Sequence, residues 1–191
     1  MNKFYVIANS QKDMDFAMAD KISEYIIAKG GTCVCQKRDI GKEGIKYNSA
    51  DASLIPEGTE CVIVLGGDGT LIQAARDLSS INVPVFGINI GTLGYLTEID
   101  MEQAFPAIDR IMADEYNIDT RMILRGRVYR GDDKLYSDIA LNDIVINRMG
   151  SLKIINFDIF VNGEYLITYP ADGLIAVSYT HLRAHETLSD L

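Results

Sequence analysis

The 191 residues include no tryptophan, two histidines, three cysteines and four prolines, and these scarcities close off whole classes of function. Cys33, Cys35 and Cys61 are an odd number set in apolar runs, which fits reduced core thiols and disfavours a disulfide framework or a cysteine-held metal. Basic residues are also short. Lys and Arg total 18 against 27 Asp and Glu, and the net charge of -9 argues against broad binding to nucleic acid or an anionic membrane. A local anion site stays open. No window reaches the roughly 18 to 20 apolar residues of a spanning helix, and residues 1–10 lack a cationic start and a cleavage site. The expected location is cytoplasmic.

What is present suffices for a core: 48% of residues are hydrophobic and 24% charged, which excludes overall disorder. Residues 3–8 (KFYVIA) read as a strand, and 15–29 place Phe16, Ala19, Ile22, Ile26 and Ile27 at helical spacing before a Gly30-Gly31 stop. Residues 32–36 and 61–65 read as strands, with 41–60 a polar loop between them. A glycine-rich turn then leads to a helix over 70–78, a strand over 85–89 and a helix over 102–113. Apolar strands alternating with helices predict a parallel sheet covered on both faces.

From Tyr116 the pattern changes to period-two alternation. Antiparallel strands are expected at 118–130, 135–141, 143–147, 153–161 and 164–168, the last two joined by the hairpin signal Asn162-Gly163. The fold class is therefore α/β, with a parallel-sheet domain over residues 1–115 and a partial all-β domain over 116–176. So few strands are a small set for a closed sandwich, and more are expected to be missing. Residues 177–191 break the pattern abruptly. Residues 177–187 (VSYTHLRAHET) resemble the in-frame translation of a transposase-based sequencing adapter, so this tail is expected to be non-native. Both histidines, His181 and His185, lie there, and with Glu186 they imitate a helical metal pair. No metal ligand is assigned.

The strongest local signal is Gly66-Gly67-Asp68-Gly69-Thr70, between an apolar strand and a helix. At the carboxyl end of a parallel strand such a turn faces the crevice where α/β proteins bind ligands. Missing side chains let backbone N–H groups approach phosphate oxygens, and the helix N-terminus adds partial positive charge. Asp68 is the informative residue, because a carboxylate beside a phosphate turn is unfavourable unless it binds a metal, takes a hydroxyl proton or holds a ribose. The alternative is a turn aspartate capping the helix. There is neither a G-x-x-x-x-G-K-[ST] nor a G-x-G-x-x-G after the first strand, so an ordinary P-loop and ordinary dinucleotide-dependent hydride transfer are both disfavoured.

Residues 87–96 (GINIGTLGYL) form a second glycine-rich turn after a strand, and two such turns at adjacent strand ends would bracket one crevice, with Tyr95 against a nucleobase or nicotinamide. Asn142-Asp143 sits between apolar runs, where an amide and a carboxylate can hold a ribose diol or adenine edge, or simply mark a bulge. Asp172-Gly173 after Pro170 reads as a turn.

With these pieces in order, the sequence resembles the NAD kinase family, through GGDGT at 66–70, GINIGTLGYLTEI at 87–99, LNDIVINR at 141–148 and ADGLIAVS at 171–178. GGDGT alone is shared with phosphofructokinases and with diacylglycerol or sphingosine kinases; the other segments are what make the resemblance specific. It implies transfer of a phosphoryl group from ATP, or another donor, to the 2′-hydroxyl of the adenosine ribose of NAD, with a divalent cation, magnesium. It also implies a phosphofructokinase-like α/β domain, a β-rich domain with the site between them, and homo-oligomers in which a neighbour completes the site. Carried over, Asp68 resembles the family's essential aspartate, and Asn142, Asp143 and Asp172 match its dinucleotide contacts; together with the turn residues read above, Gly66, Gly67, Gly69 and Thr70 are the expected phosphate-binding turn, and Asp68, Gly69, Tyr95, Asn142, Asp143 and Asp172 the expected NAD-binding set. Where the family continues into a Ser/Thr/Gly-rich stretch, this chain runs into YTHLRAHETLSDL. The expectation is thus an NAD kinase whose 191-residue form is weak or inactive, against the alternatives of a non-catalytic nucleotide-binding fragment or a lipid kinase sharing GGDGT.

Overall fold

Runs such as CVIVL are too continuously apolar to leave either face in water, and burying both requires a sheet with helices on each side. In a computed structural model, residues 1–36, 50–91, 94–97, 99–150 and 153–179 are described. The chain divides into two units, Met1–Asp119 and Thr120–Leu191.

In the first unit β1 (Lys3–Ala8), β2 (Thr32–Cys35), β3 (Cys61–Gly66), β4 (Val85–Asn89) and β5 (Ile99–Asp100) form a parallel sheet in the order β2-β1-β3-β4-β5. Three helices cover it: α1 (Ala17–Ala28), α2 (Asp68–Asp77) and α3 (Met101–Met112). The alternation along each central strand sorts the core. Phe4, Val6, Ile63 and Leu65 pack with Ile22 and Ile26 of α1 and Ile108 of α3, while Tyr5, Ile7, Val62 and Val64 pack with Ala74 of α2 and with Leu78 just after it. Truncating one fully buried isoleucine here to alanine would cost about 2–5 kcal/mol. The unit is also tied at its ends, since the Met1 ammonium donates to Asp114 Oδ1 at 2.7 Å and to the Ile111 carbonyl at 3.3 Å. The parallel, doubly covered sheet read from the sequence is the one observed.

All three cysteines are free thiols. Burial pushes the Cys61 thiol up to about 12, and the neighbouring Cys35 thiol, followed by burial, raises Cys33.

The described residues of the second unit form three two-stranded antiparallel ribbons. β6 (Leu124–Arg130) pairs with β7 (Asp133–Ala140), β8 (Asp143–Asn147) with β11 (Gly173–Val177), and β9 (Ile155–Val161) with β10 (Glu164–Ala171). The hairpin expected at Asn162-Gly163 is present, with φ values of 54° and 87° that suit the tight primed turn. Other expectations need correction. Residues 118–123 are not strand, because β7 ends at Ala140 opposite Leu124 and leaves them no pairing partner. β10 runs on past Thr168 to Ala171, with Pro170 tolerated because its strand pairs on one side only. β11 was not anticipated at all. Among its described residues the expected loop at 41–60 contains one 3₁₀ turn, Ala52–Leu54; residues 41–49 lie outside the described set, as do His181, His185 and Glu186.

Candidate functional site

Parallel strands deliver their carboxyl ends to one edge of the sheet, and a crevice opens where neighbouring strands send their helices to opposite faces. β1 and β3 are such a pair, followed by α1 on one face and α2 on the other. Side-chain and backbone bonds lock the loop after β1 to the turn after β3. The Asn9 N–H donates to the Leu65 carbonyl at 2.8 Å, and Asn9 Nδ2 donates to Thr70 Oγ1 at 3.0 Å.

The GGDGT segment straddles the strand-to-helix junction. Gly66 ends β3, Gly67 is the N-cap of α2, and Asp68, Gly69 and Thr70 form its first turn. The helix therefore starts two residues before the Thr70 expected from periodicity. Asp68 as the helix cap is excluded, since the capping position belongs to Gly67, which has no side chain with which to cap α2. An uncapped first turn leaves N–H groups and the positive end of the helix dipole facing the crevice. The glycines answer different needs. A Cβ on Gly66 would overlap the Thr70 side chain, so the fold itself requires that glycine. A Cβ on Gly69 would meet nothing within 4 Å, and its φ is not positive. A helical glycine costs about 1 kcal/mol relative to alanine. Nothing among the described residues offsets that cost at Gly69.

Asp68 is held by the second glycine-rich turn. Its Oδ2 accepts the Tyr95 N–H at 2.8 Å, while Oδ1 accepts the Leu96 N–H at 3.1 Å, the Thr97 N–H at 3.0 Å and the Thr97 hydroxyl at 3.0 Å. Partial burial pushes the carboxyl up, but these four donors together hold it below its ordinary value. The fully buried Thr97 is itself fixed by Asn89 Nδ2, which donates to Thr97 Oγ1 at 2.9 Å. A Cβ on Gly94 would overlap the Asp68 carboxylate, so the approach of turn to carboxylate depends on that glycine. The two turns expected to bracket one crevice do stand at adjacent strand ends, β3 and β4, and Asp68 joins them directly. Tyr95 takes part through its backbone, and its ring is 84% exposed.

In the second unit Asn142 Nδ2 donates to Asp143 Oδ2 at 2.8 Å, just where β8 begins. Asp172 lies at the other end of the same ribbon. Asp143 pairs with Val177 and Asn147 with Gly173, so four strand residues, about 13 Å, separate the two positions. There Asp172 Oδ1 accepts from Arg148 Nε at 2.9 Å. The ribbon does not bring Asp172 to the Asn142-Asp143 pair.

Sequence reasoning missed Thr97 and Asn9. The signal available was two polar residues, Asn9-Ser10, directly after an apolar parallel strand. For a divalent cation, the described residues contain no group of three or more His, Cys, Asp or Glu arranged to hold one. Asp68 has acceptor capacity left mainly on Oδ2. These described residues do not by themselves build a cage for a resident ion.

The family pattern described as the ATP-NAD kinase N-terminal domain matches residues 5–116. An NAD kinase of Lachnospira eligens is 50% identical over 188 residues, covering 97% of this chain and 63% of the relative. One from Agathobacter rectalis is 46% identical, covering 94% of this chain and 62% of the relative. The chain thus spans somewhat less than two thirds of these curated relatives. Among solved structures, a yeast NADH kinase complexed with NADH superposes with a TM-score of 0.75 at 21% identity, covering 99% of this chain and 60% of that one. An Archaeoglobus fulgidus NAD kinase in complex with ATP gives 0.65 at 21% identity, covering 94% and 61%. The family pattern matches more than half of the chain and the curated relatives agree with it, so the chain belongs to the NAD kinase family.

Proposed function

We propose that the chain derives from an enzyme that transfers the terminal phosphoryl group of ATP to the 2′-hydroxyl of the adenosine ribose of NAD, giving NADP and ADP. The observation that carries this reading is Gly69, a helical glycine whose missing side chain makes room for no described residue but leaves the first turn of α2 open to a close-packed phosphate. The O2′–phosphorus bond forms as the bond to the β-phosphate oxygen breaks, and the hydroxyl proton passes to Asp68 Oδ2. A carboxyl held below its ordinary value is a weak base, so Asp68 orients the hydroxyl and takes its proton late in the step. A magnesium ion would arrive on the donor phosphates and neutralise developing charge.

In the same reading Asn142 and Asp143 grip the dinucleotide, Asp172 and the Tyr95 ring add contacts to it, and the full-length parent is a cytoplasmic homo-oligomer. Among the described residues no helix is long and apolar enough to cross a membrane. Because the chain spans about 63% of its relatives, the expected behaviour of these 191 residues is ATP binding with little or no turnover. The test is calorimetric titration with ATP, together with an assay of NADP formed from ATP, magnesium and NAD. Saturable ATP binding supports the reading, as does any NADP lost with Asp68→Asn. Failure to bind ATP, or phosphorylation of a diacylglycerol in place of NAD, would overturn it.

A further inference from the structure

Lys12 stands on the loop that β1 delivers to the crevice, and the loop leaves its backbone little freedom. The Lys12 and Asp13 N–H groups both donate to the Asn9 carbonyl, at 3.0 and 2.8 Å, and the Gln11 N–H donates to Asn9 Oδ1 at 2.9 Å. The buried Asp13 carboxylate then accepts the Met18 and Ala19 N–H groups, both at 3.1 Å, which pins the loop to the start of α1. From this base the side chain reaches across to both glycine-rich turns. Lys12 Nζ lies 3.1 Å from where a Cβ of Gly67 would be, and 3.3 Å from where one of Gly91 would be.

The ammonium therefore fills the gap between the first turn and the second, resting on backbone that only glycine leaves bare. Gly91 also has φ 132°, a backbone conformation that discourages a side chain there. Among the described residues Lys12 makes no ion pair. Asp68, the acid beside it in the same junction, has both oxygens turned to the 95–97 backbone. The result is a positioned cation whose charge no described residue neutralises, next to a helix start whose N-cap is a glycine.

We propose that Lys12 is the cation that binds the terminal phosphates of the nucleoside triphosphate, and that Gly67 and Gly91 are glycine to admit its ammonium to the phosphate site. This rests on the reading of the junction as the donor site and adds the residue that would distinguish a triphosphate from a monophosphate. Lysine acts here as a point charge with three donors, able to follow a phosphate that moves during transfer.

The experiment is calorimetry of ATP and AMP binding to the 191-residue chain and to its Lys12→Met, Lys12→Gln and Lys12→Arg variants. Both neutral variants should weaken ATP by roughly 10- to 100-fold, the range of one charge-assisted phosphate contact, and leave AMP within about twofold. Lys12→Arg should recover most of the ATP affinity, and added salt should weaken ATP less in the neutral variants than in the parent. Lys12 is exposed, so the melting temperatures should match and a folding defect would be visible. ATP affinity unchanged in both neutral variants, or an equal loss for ATP and AMP, would overturn the role of Lys12 while leaving the donor site standing. If the parent chain binds no ATP, it is the donor site itself that fails.

Discussion

Asp68 accepts four hydrogen bonds on two oxygens, and an amide of the same shape has only one oxygen to offer. Asp68→Asn must therefore set an NH2 group against either the Tyr95 N–H or the Leu96 and Thr97 donors. It should cost about 1–3 kcal/mol of stability as well as 10²- to 10⁴-fold in any phosphoryl transfer, measured by melting temperature and NADP formation. Since the folded carboxyl titrates below its unfolded value near pH 4, its stabilisation is complete above that pH and is lost as pH falls through the folded value. The gap in melting temperature between parent and Asp68→Asn should accordingly be widest at pH 6 and close on acidification; a constant gap down to pH 2.5 would show that the charge is immaterial. Gly94→Ala should have a related effect by displacing the carboxylate, a crowding penalty of about 1–3 kcal/mol. Asp68 was legible in the sequence because a carboxylate in a phosphate-type turn is an electrostatic conflict. Its partners were not, since Thr97 and Lys12 reach the junction only through strand order, and neither is unusual where it stands in the chain.

The first turn of α2 is the element on which donor binding turns. Gly69→Ala places a methyl group in open space and adds helix propensity, so the variant should gain about 0.5–1 kcal/mol in denaturant unfolding. It should at the same time lose ATP affinity, because the methyl group occupies the phosphate approach. A gain in stability with binding intact would show that Gly69 answers no ligand. At this scale much of the fold could be read from the residues. Continuous apolar runs marked β1, β3 and β4, and Asn162-Gly163 marked a hairpin by backbone conformation alone. Boundaries that depend on a partner were unreadable. β6 starts where β7 stops, and β11 exists because β8 is there to pair with it.

Over the whole molecule the two units differ in what holds them. The first has two buried clusters, one on each face of its sheet. The second is three ribbons whose Val128, Tyr129, Leu135, Tyr136, Phe160 and Leu166 are exposed, and isolated two-stranded ribbons are marginal in water. Limited proteolysis should therefore leave a stable fragment ending near Asp119, and amides of β1 and β3 should exchange far more slowly than those of β6–β11. Uniform protection through Tyr169 would contradict this. The grip of the Met1 ammonium on Asp114 and Ile111 has a consequence of its own, for it makes the first unit nearly a closed ring. Its two ends are neighbours in space, so their order along the polypeptide is a matter of covalent accident. A circular permutant of residues 1–119, joined end to end through a short glycine-rich linker and reopened at the exposed Glu57-Gly58 turn, should regain the same parallel sheet and the same Asp68 clamp.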